Sequence, residues 1–172
     1  MIDQTKVNEY FIQKWSKVTS KIPPYYSSHK RIASFISQDE WLLDVGCGRN
    51  DFKKYLKNVV GIDPVFDEAD IKTTIENYIP DRLFDVATCL GSIGFGDEND
   101  ISNQIQKVVE CLKPKSRIFW RLTPKIKRKL LEVSAVEWTP DKLLKFANKH
   151  HYTQKNTMLD INNRLYAEWH RN

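Results

Sequence analysis

The sequence predicts an α/β protein: a mostly parallel sheet with one antiparallel strand at its C-terminal end and helices on both faces. Four short apolar runs, W-L-L-D-V, K-N-V-V-G-I-D, F-D-V-A-T-C-L and S-R-I-F-W-R-L, alternate with helix-length segments. Runs that are apolar throughout are typical of parallel strands, which are covered on both faces. Two later runs, 152–160 and 164–170, flank Asn162-Asn163, a turn signal that predicts a C-terminal hairpin.

Composition is consistent with one soluble globular domain over residues 1–172, with 41% hydrophobic and 28% charged residues. No apolar run is long enough to cross a bilayer, and the first residues lack the pattern of a secretory signal, so we expect a cytoplasmic protein without membrane contact. Cys47, Cys89 and Cys111 are far apart and have no histidine at a ligand spacing, which predicts buried, reduced thiols and no metal site.

The chain divides into a helical preamble, residues 1–38, and an α/β core, residues 39–172. In the preamble, apolar residues at helical spacing predict a helix over 7–18. A second, shorter helix is expected to begin at Ser27 or Ser28.

Two helices are predicted with their caps in the second half of the core. Apolar residues recur every three or four positions over 100–112, behind Asp100 as the expected N-cap, and the pattern ends before Pro114. A later helix begins with Thr139 as the cap and Pro140 in the first helical position.

The end of the first predicted strand carries the pattern expected of a ligand cradle. Gly46 and Gly48 let the backbone take a positive φ or approach a ligand closely. Asp44 is placed to accept a hydrogen bond from a ligand amine or to fix the loop. Asp63, nineteen residues further on, ends the second strand, where its two oxygens match a ribose diol. In this order the signals predict a nucleoside site at the carboxyl ends of the strands.

Two common nucleotide motifs do not match. The third glycine of a dinucleotide fingerprint is replaced by Asp51, whose carboxylate would repel a pyrophosphate, so NAD is not expected. The glycines are not followed by the lysine and hydroxyl residue that a P-loop requires.

The chain resembles the class I S-adenosylmethionine-dependent methyltransferases from Trp41 onward. L-L-D-V-G-C-G is similar to the family's glycine-rich first motif and V-V-G-I-D-P to its acidic second motif. F-D-V-A-T-C-L-G-S-I and E-C-L-K-P-K-S-R-I-F-W resemble the fourth strand and the helix, turn and fifth strand after it. The resemblance implies a Rossmann-like, doubly wound sheet of seven strands, S-adenosylmethionine as cofactor and S-adenosylhomocysteine as product. The turn Pro114-Lys115-Ser116 departs from the family's Pro-Gly-Gly.

The resemblance also implies roles for individual residues around the cofactor. Those at the methionine end are Asp44, Gly46, Cys47 and Gly48, with the backbone of Leu90 and Gly91 beneath the cofactor. Asp63 would hold the ribose and Pro64 would lie beside the adenine. The acidic position that often touches the adenine is left open between Thr74, Ile75 and Glu76.

The motifs of DNA-base, C5 and ribose methylases are missing, which leaves a small molecule, a protein or an RNA read by an unusual surface as the acceptor. Of these, a small molecule is the expected acceptor. Methyl transfer is an in-line displacement that alignment alone accelerates strongly, so no catalytic residue is assigned. Candidates for a catalytic base are Tyr25, Tyr26, His29, Ser92, Asp97 and Arg121. The residues predicted to contact the acceptor are Tyr26, Ser92, Phe95, Trp120 and Arg121.

A basic segment, 113–129, contains eight lysines and arginines and no acid. With the net charge of +5, it is compatible with nucleic-acid binding, with an anionic substrate, or with an ordinary solvated surface. The alternative to an active enzyme is a non-catalytic partner subunit that keeps the methyltransferase fold and binds cofactor or RNA. The residues do not indicate an oligomeric state.

Overall fold

The computed structural model describes residues 3–16, 26–124, 135–160 and 162–172. Six strands form one sheet in the order β2-β1-β3-β4-β6-β5. Their bounds are β1 Leu42–Val45, β2 Val59–Ile62, β3 Phe84–Cys89, β4 Leu112–Leu122, β5 Tyr152–Leu159 and β6 Leu165–Arg171.

Strand directions confirm the predicted sheet type. β1 pairs in parallel with both β2 and β3, so that Leu43 lies opposite Val60 and Ala87. β4 continues the parallel set, and β6 runs antiparallel to both β4 and β5. The order along the sheet reverses at β1, because β2 lies on one side of it and β3 on the other. Such a reversal leaves a crevice at the carboxyl ends of the strands.

The sheet has six strands in the described residues, not the seven that the family resemblance implied. Beyond β2, only a single parallel bridge forms, between Ile62 and Ile71. Ile71 is the one large apolar residue of E-A-D-I-K-T-T and is itself 42% exposed. This segment therefore has too little apolar surface to bury a seventh strand.

Helices cover both faces of the sheet. Their bounds are α1 Gln4–Ser16, α2 Tyr26–Ala33, α3 Glu98–Glu110 and α4 Pro140–Lys149, with a 3₁₀ turn at Asp51–Lys54. On one face, α3 and α4 pack in the larger core with strand residues such as Ala87 and Ile118. On the other face, α2 and Phe52 of the 3₁₀ turn pack with Leu42 and Val86. None of the described helices combines the length and the apolarity of a transmembrane segment.

The helix caps agree with the sequence at α4 and differ at α3. Thr139 accepts a hydrogen bond from the amide of Lys142, with Pro140 in the first helical position, as predicted. The N-cap of α3 is Asp97, not Asp100. Asp97 accepts from the Asp100 amide at 2.9 Å, while the Asp100 carboxylate accepts from the Asp97 amide, so the two form a capping box.

The preamble helices begin earlier than predicted. α1 begins at Gln4 rather than at residue 7, and residues 17 and 18, where it was expected to end, lie outside the described part. α2 begins at Tyr26, one residue before the nearer of the two predicted starts. All three cysteines are buried and unbridged, as expected.

Candidate functional site

A cleft lies at the carboxyl ends of β1, β2 and β3, where the sequence predicted a ligand site. It holds about 850 Å³ of empty space, counting the part that opens to solvent. Its wall comes from the loops after the three strands, from α1 and from α3.

The two glycines after β1 have different structural roles. Both line the cleft and both have positive φ, 70° at Gly46 and 53° at Gly48. A β-carbon on Gly46 would lie 2.3 Å from the β-carbon of Ser92, so this glycine lets two loops pack together. A β-carbon on Gly48 would meet no atom within 4 Å. Gly48 therefore keeps open space at the cleft, and a side chain there would fill it.

Asp63 lies at the edge of the cleft and is fixed by three backbone amides. Its Oδ2 accepts from the amide of Gly48 at 3.0 Å, and its Oδ1 accepts from Val65 at 2.8 Å and from Phe66 at 3.1 Å. A carboxylate has about four acceptor positions, so one remains on Oδ2 for a ligand hydroxyl. Pro64 lines the cleft beside it, as do Val65 and Phe66.

Asp44 lies behind the cleft and does not line it, in contrast to the expectation from the sequence. It is buried, its Oδ1 accepts from the hydroxyl of Thr88 at 2.7 Å, and its Oδ2 has no hydrogen-bond partner in the described residues. Burial raises the pKa of Asp44 to about 6, while the positive charge of His29 opposes the shift. Side chains alternate along a strand, and this one points towards the α2 side of the sheet.

Cys47 is also buried outside the cleft lining, which differs from the predicted role at the methionine end. Its sulfur would lie 2.8 Å from a β-carbon on Gly61. Burial raises the pKa of the Cys47 thiol far above its ordinary value, so it stays protonated. The residue packs the loop between β1 and β2.

One end of the cleft carries the residues left open for the adenine. Thr74, Ile75 and Glu76 all line it. The carboxylate of Glu76 accepts from the side-chain amide of Gln104 at 2.8 Å. Gln104 comes from α3 and is 7% exposed. Sequence analysis did not identify it, although a glutamine on the buried face of an apolar helix is a signal of a polar partner.

Another part of the wall is largely apolar and includes α1, whose role in the cleft was not predicted. Val7 and Phe11 of α1 line the cleft with Ser92 and Phe95. The rings of Phe11 and Phe95 meet edge to face with centroids 5.6 Å apart. The apolar stripe of α1 was detected in the sequence, but a stripe does not show whether a helix covers a core or a cleft.

Two residues predicted to contact the acceptor do not line the cleft. Trp120 is fully buried in the core, with its ring centroid 4.6 Å from that of Trp169. Arg121 is 2% exposed, and its Nε donates to Asp160 Oδ2 at 2.6 Å. Both lie on β4, an inner strand, from which consecutive side chains project to opposite faces of the sheet, and both are buried there.

The other candidates have structural partners or lie outside the described residues. His29 packs its ring on Phe52, with centroids 4.7 Å apart. Asp97 caps α3. Tyr25 and the side chain of Tyr26 are outside the described part of the chain. Leu90 and Gly91 line the cleft, as expected from the sequence, and the guanidinium of Arg164 lies behind Gly91, 3.0 Å from where a β-carbon would be.

Three cations in the described part of the basic segment are paired with acids. Lys113 contacts Asp85 at 2.9 Å, Arg117 contacts Glu40 at 2.8 Å, and Arg121 contacts Asp160 at 2.6 Å. The segment's remaining lysines and arginine after residue 124 lie outside the described residues. The pairs reduce the positive field that a nucleic acid would meet along β4.

Structure comparison shows that the chain has the class I S-adenosylmethionine-dependent methyltransferase fold. It is similar to a Burkholderia thailandensis 1,6-didemethyltoxoflavin-N1-methyltransferase with S-adenosylhomocysteine bound, with a TM-score of 0.79 and 12% identity. The similarity covers 98% of this chain and 88% of that one.

Two further solved structures agree. A Synechocystis magnesium protoporphyrin IX methyltransferase with S-adenosylmethionine bound has a TM-score of 0.76 at 14% identity, covering 100% of this chain and 98% of that one. A Bradyrhizobium japonicum N-methyltransferase with bound S-adenosylhomocysteine has a TM-score of 0.70 at 12% identity, covering 94% and 98%. No protein-family model and no curated protein sequence matches the chain. At these identities the similarity is one of fold.

Proposed function

We propose that this protein is an S-adenosylmethionine-dependent methyltransferase that acts on a small-molecule acceptor. The observation that supports this most strongly is the pairing of Gly48 and Asp63 at the cleft. The amide of Gly48 donates to Asp63, and the space where a Gly48 side chain would lie is open. A carboxylate held beside an open glycine turn matches the hydroxyls and the close backbone approach of a nucleoside.

The residues that line the cleft fit this cofactor along its length. Gly46, Gly48, Leu90 and Gly91 would hold the methionine end through their backbone, and Asp63 would hold the ribose. The adenine would lie between apolar residues after β2 and the segment that ends at Glu76, whose carboxylate suits an exocyclic amine. Asp44 and Cys47 would support the glycine turn from behind, without touching the cofactor.

When bound, S-adenosylmethionine would supply a methyl group on a sulfonium: a lone pair of the acceptor would form the new bond to carbon, the carbon–sulfur pair would stay on sulfur as the neutral thioether, and the acceptor's proton would be released to bulk solvent. The chain has to align the acceptor and exclude competing water. Val7, Phe11 and Phe95 are placed to do so, because they give the cleft an apolar wall.

This wall also favours an enzyme over a partner subunit that only binds the cofactor. An enzyme needs a cavity for the acceptor in addition to the nucleoside site. The solved N1-methyltransferase with the same fold holds its small acceptor, 1,6-didemethyltoxoflavin, together with S-adenosylhomocysteine. The paired cations of β4 give no support to an RNA-binding role.

The test is calorimetric titration of the purified protein with S-adenosylmethionine, S-adenosylhomocysteine and NAD. We expect the first two to bind and NAD not to bind. Gly48→Ala should weaken S-adenosylhomocysteine binding at least tenfold. Gly96→Ala is the matched control, because Gly96 also has a positive φ, 97°, but does not line the cleft. NAD binding, or no binding of either adenosyl compound, would contradict the proposal.

A further inference from the structure

We infer that the acceptor is a molecule with a flat ring and no negative charge, which packs on an aromatic wall formed by Phe11 and Phe95, with Tyr10 packed against both rings. This inference rests on the proposed function and specifies its substrate class. It follows from three features of the cleft: the geometry of the three rings, the charges along the lining, and one buried hydroxyl.

The aromatic wall is a packed unit built from two distant parts of the chain. Tyr10 and Phe11 belong to α1, and Phe95 follows β3. Ring centroids are 5.3 Å apart for Tyr10 and Phe11, 5.6 Å for Phe11 and Phe95, and 6.3 Å for Tyr10 and Phe95. These are the distances of favourable aromatic pairs, so the rings support one another at the cleft.

Phe95 is held in place from behind. It forms an antiparallel bridge with Ala135, and the neighbouring Gly94 carbonyl accepts from the amide of Val136 at 2.9 Å. It is 7% exposed, yet it lines the cleft. A ring fixed in this way gives a flat ligand a preformed surface, which lowers the entropic cost of binding.

Charge along the described lining disfavours an anionic acceptor. Its charged side chains are Asp63 and Glu76, two carboxylates in the part proposed for the nucleoside. Two arginines lie near this end of the sheet: Arg121 pairs with Asp160, and Arg164, behind Gly91, donates to the carbonyl of Arg121 and does not line the cleft. Both carboxylates would repel an anionic acceptor in the same cleft. The lining therefore selects against carboxylated and phosphorylated acceptors.

Ser92, three residues before Phe95, contributes a neutral polar group to the lining. Ser92 lines the cleft, and its hydroxyl oxygen is buried without a hydrogen-bond partner in the described residues. A hydroxyl can donate and accept, so it can orient a neutral ring heteroatom or hydroxyl. An acceptor of this kind would also satisfy a buried polar atom that otherwise lowers stability.

The test measures binding to protein saturated with S-adenosylhomocysteine, after the affinity for that compound has been measured alone. Three probes differ in one property each: 2-naphthol is flat and neutral, 6-hydroxy-2-naphthoate adds a carboxylate, and decahydro-2-naphthol keeps the carbon skeleton and the hydroxyl without a flat ring. We expect 2-naphthol to bind at least tenfold more tightly than either of the others. Equal or tighter binding of the carboxylate, or no binding of 2-naphthol up to its solubility limit, would overturn the inference.

Variants of the wall residues test whether 2-naphthol binds at the aromatic wall. Phe95→Ala should weaken 2-naphthol binding at least fivefold and leave S-adenosylhomocysteine affinity within twofold. Phe11→Leu keeps most of the apolar area but removes a ring, and should give the same loss if Phe95→Ala does not fold. Phe35→Ala is the control, because Phe35 is 49% exposed and is not part of the cleft lining. Unchanged 2-naphthol affinity in both wall variants would contradict the assigned surface. If the wild type does not bind S-adenosylhomocysteine at all, the proposed function is contradicted instead.

Discussion

Gly46 and Ser92 pack so closely that a β-carbon on the glycine would lie 2.3 Å from the β-carbon of the serine. The contact joins the loop after β1 to the loop after β3, and these loops form two sides of the cleft. The first glycine of the G-x-G pair thus allows the two loops to pack together, and the second, Gly48, leaves space open in the cleft.

Gly46→Ala should lower the free energy of unfolding by about 2–4 kcal/mol, because the new methyl group overpacks the contact and a positive φ is unfavourable for alanine. Urea unfolding at neutral pH measures the change. Adding Ser92→Gly should recover part of the loss, since it removes the opposing β-carbon. A double variant no more stable than Gly46→Ala would show that backbone strain, rather than the contact, sets the cost.

Asp63→Ala should weaken S-adenosylhomocysteine binding by about 1–3 kcal/mol, because the ligand hydroxyls lose an acceptor. It should also lower stability by about 2–4 kcal/mol, since three backbone amides lose a charged acceptor. Calorimetry and urea unfolding separate the two effects. Asp63→Asn, which keeps one side-chain oxygen, should lie between the alanine variant and the wild type. If stability falls while affinity is unchanged, Asp63 acts only on the loops.

The free energy of unfolding of Asp44→Asn should increase relative to that of the wild type as the pH rises from 4 to 7. Burial raises the pKa of Asp44 from its ordinary 3.8 to about 6, so the folded protein binds the proton more tightly than the unfolded chain. Protonation of Asp44 therefore contributes its full stabilisation to the folded wild type below about pH 4, and this contribution is lost as the pH rises through 6. The difference is at most about 3 kcal/mol.

Urea unfolding of both proteins at pH 4, 5, 6 and 7 tests this prediction. The difference between them isolates Asp44, because the other carboxylates are common to both. Charges that act on Asp44 are those of His29, Asp63 and Asp51. Asparagine can still accept from the Thr88 hydroxyl, so this bond is retained. If the difference in free energy of unfolding is constant across this pH range, the pKa of Asp44 is the same in the folded and the unfolded chain.

Asp160→Ala should destabilise the protein by about 2–4 kcal/mol, because Arg121 is 2% exposed and its guanidinium loses the carboxylate that accepts from Nε at 2.6 Å. Combining it with Arg121→Met should be less damaging than Asp160→Ala alone, since the buried charge is then gone. S-adenosylhomocysteine affinity should be unchanged in both, as neither residue lines the cleft. A large loss of affinity would restore Arg121 to the ligand site.

The parallel sheet, the helices between its strands and the position of the cleft could be predicted from the sequence, because they depend on local patterns. Continuous apolar runs determine buried strands, and glycine and aspartate at strand ends mark the switch point. Such patterns identified Gly46, Gly48 and Asp63, whereas Pro64, Leu90 and Gly91 were implied only by the family resemblance; all six line the cleft. The choice of Asp100 over Asp97 as a cap failed because both fit the same local rule.

Only the tertiary structure decided which side chains face the cleft. Asp44 stands next to the cleft residue Val45 in sequence, yet strand alternation turns its side chain towards α2, and the side chain of Trp120 on β4 packs in the core. Phe11 and Gln104 enter the cleft because α1 and α3 pack beside it, a relation between segments far apart in the chain. The sequence by itself determined the fold class and the cofactor-like motif, since these follow from the order and period of residues. The acceptor wall depends on long-range packing, so it became visible only in the folded chain.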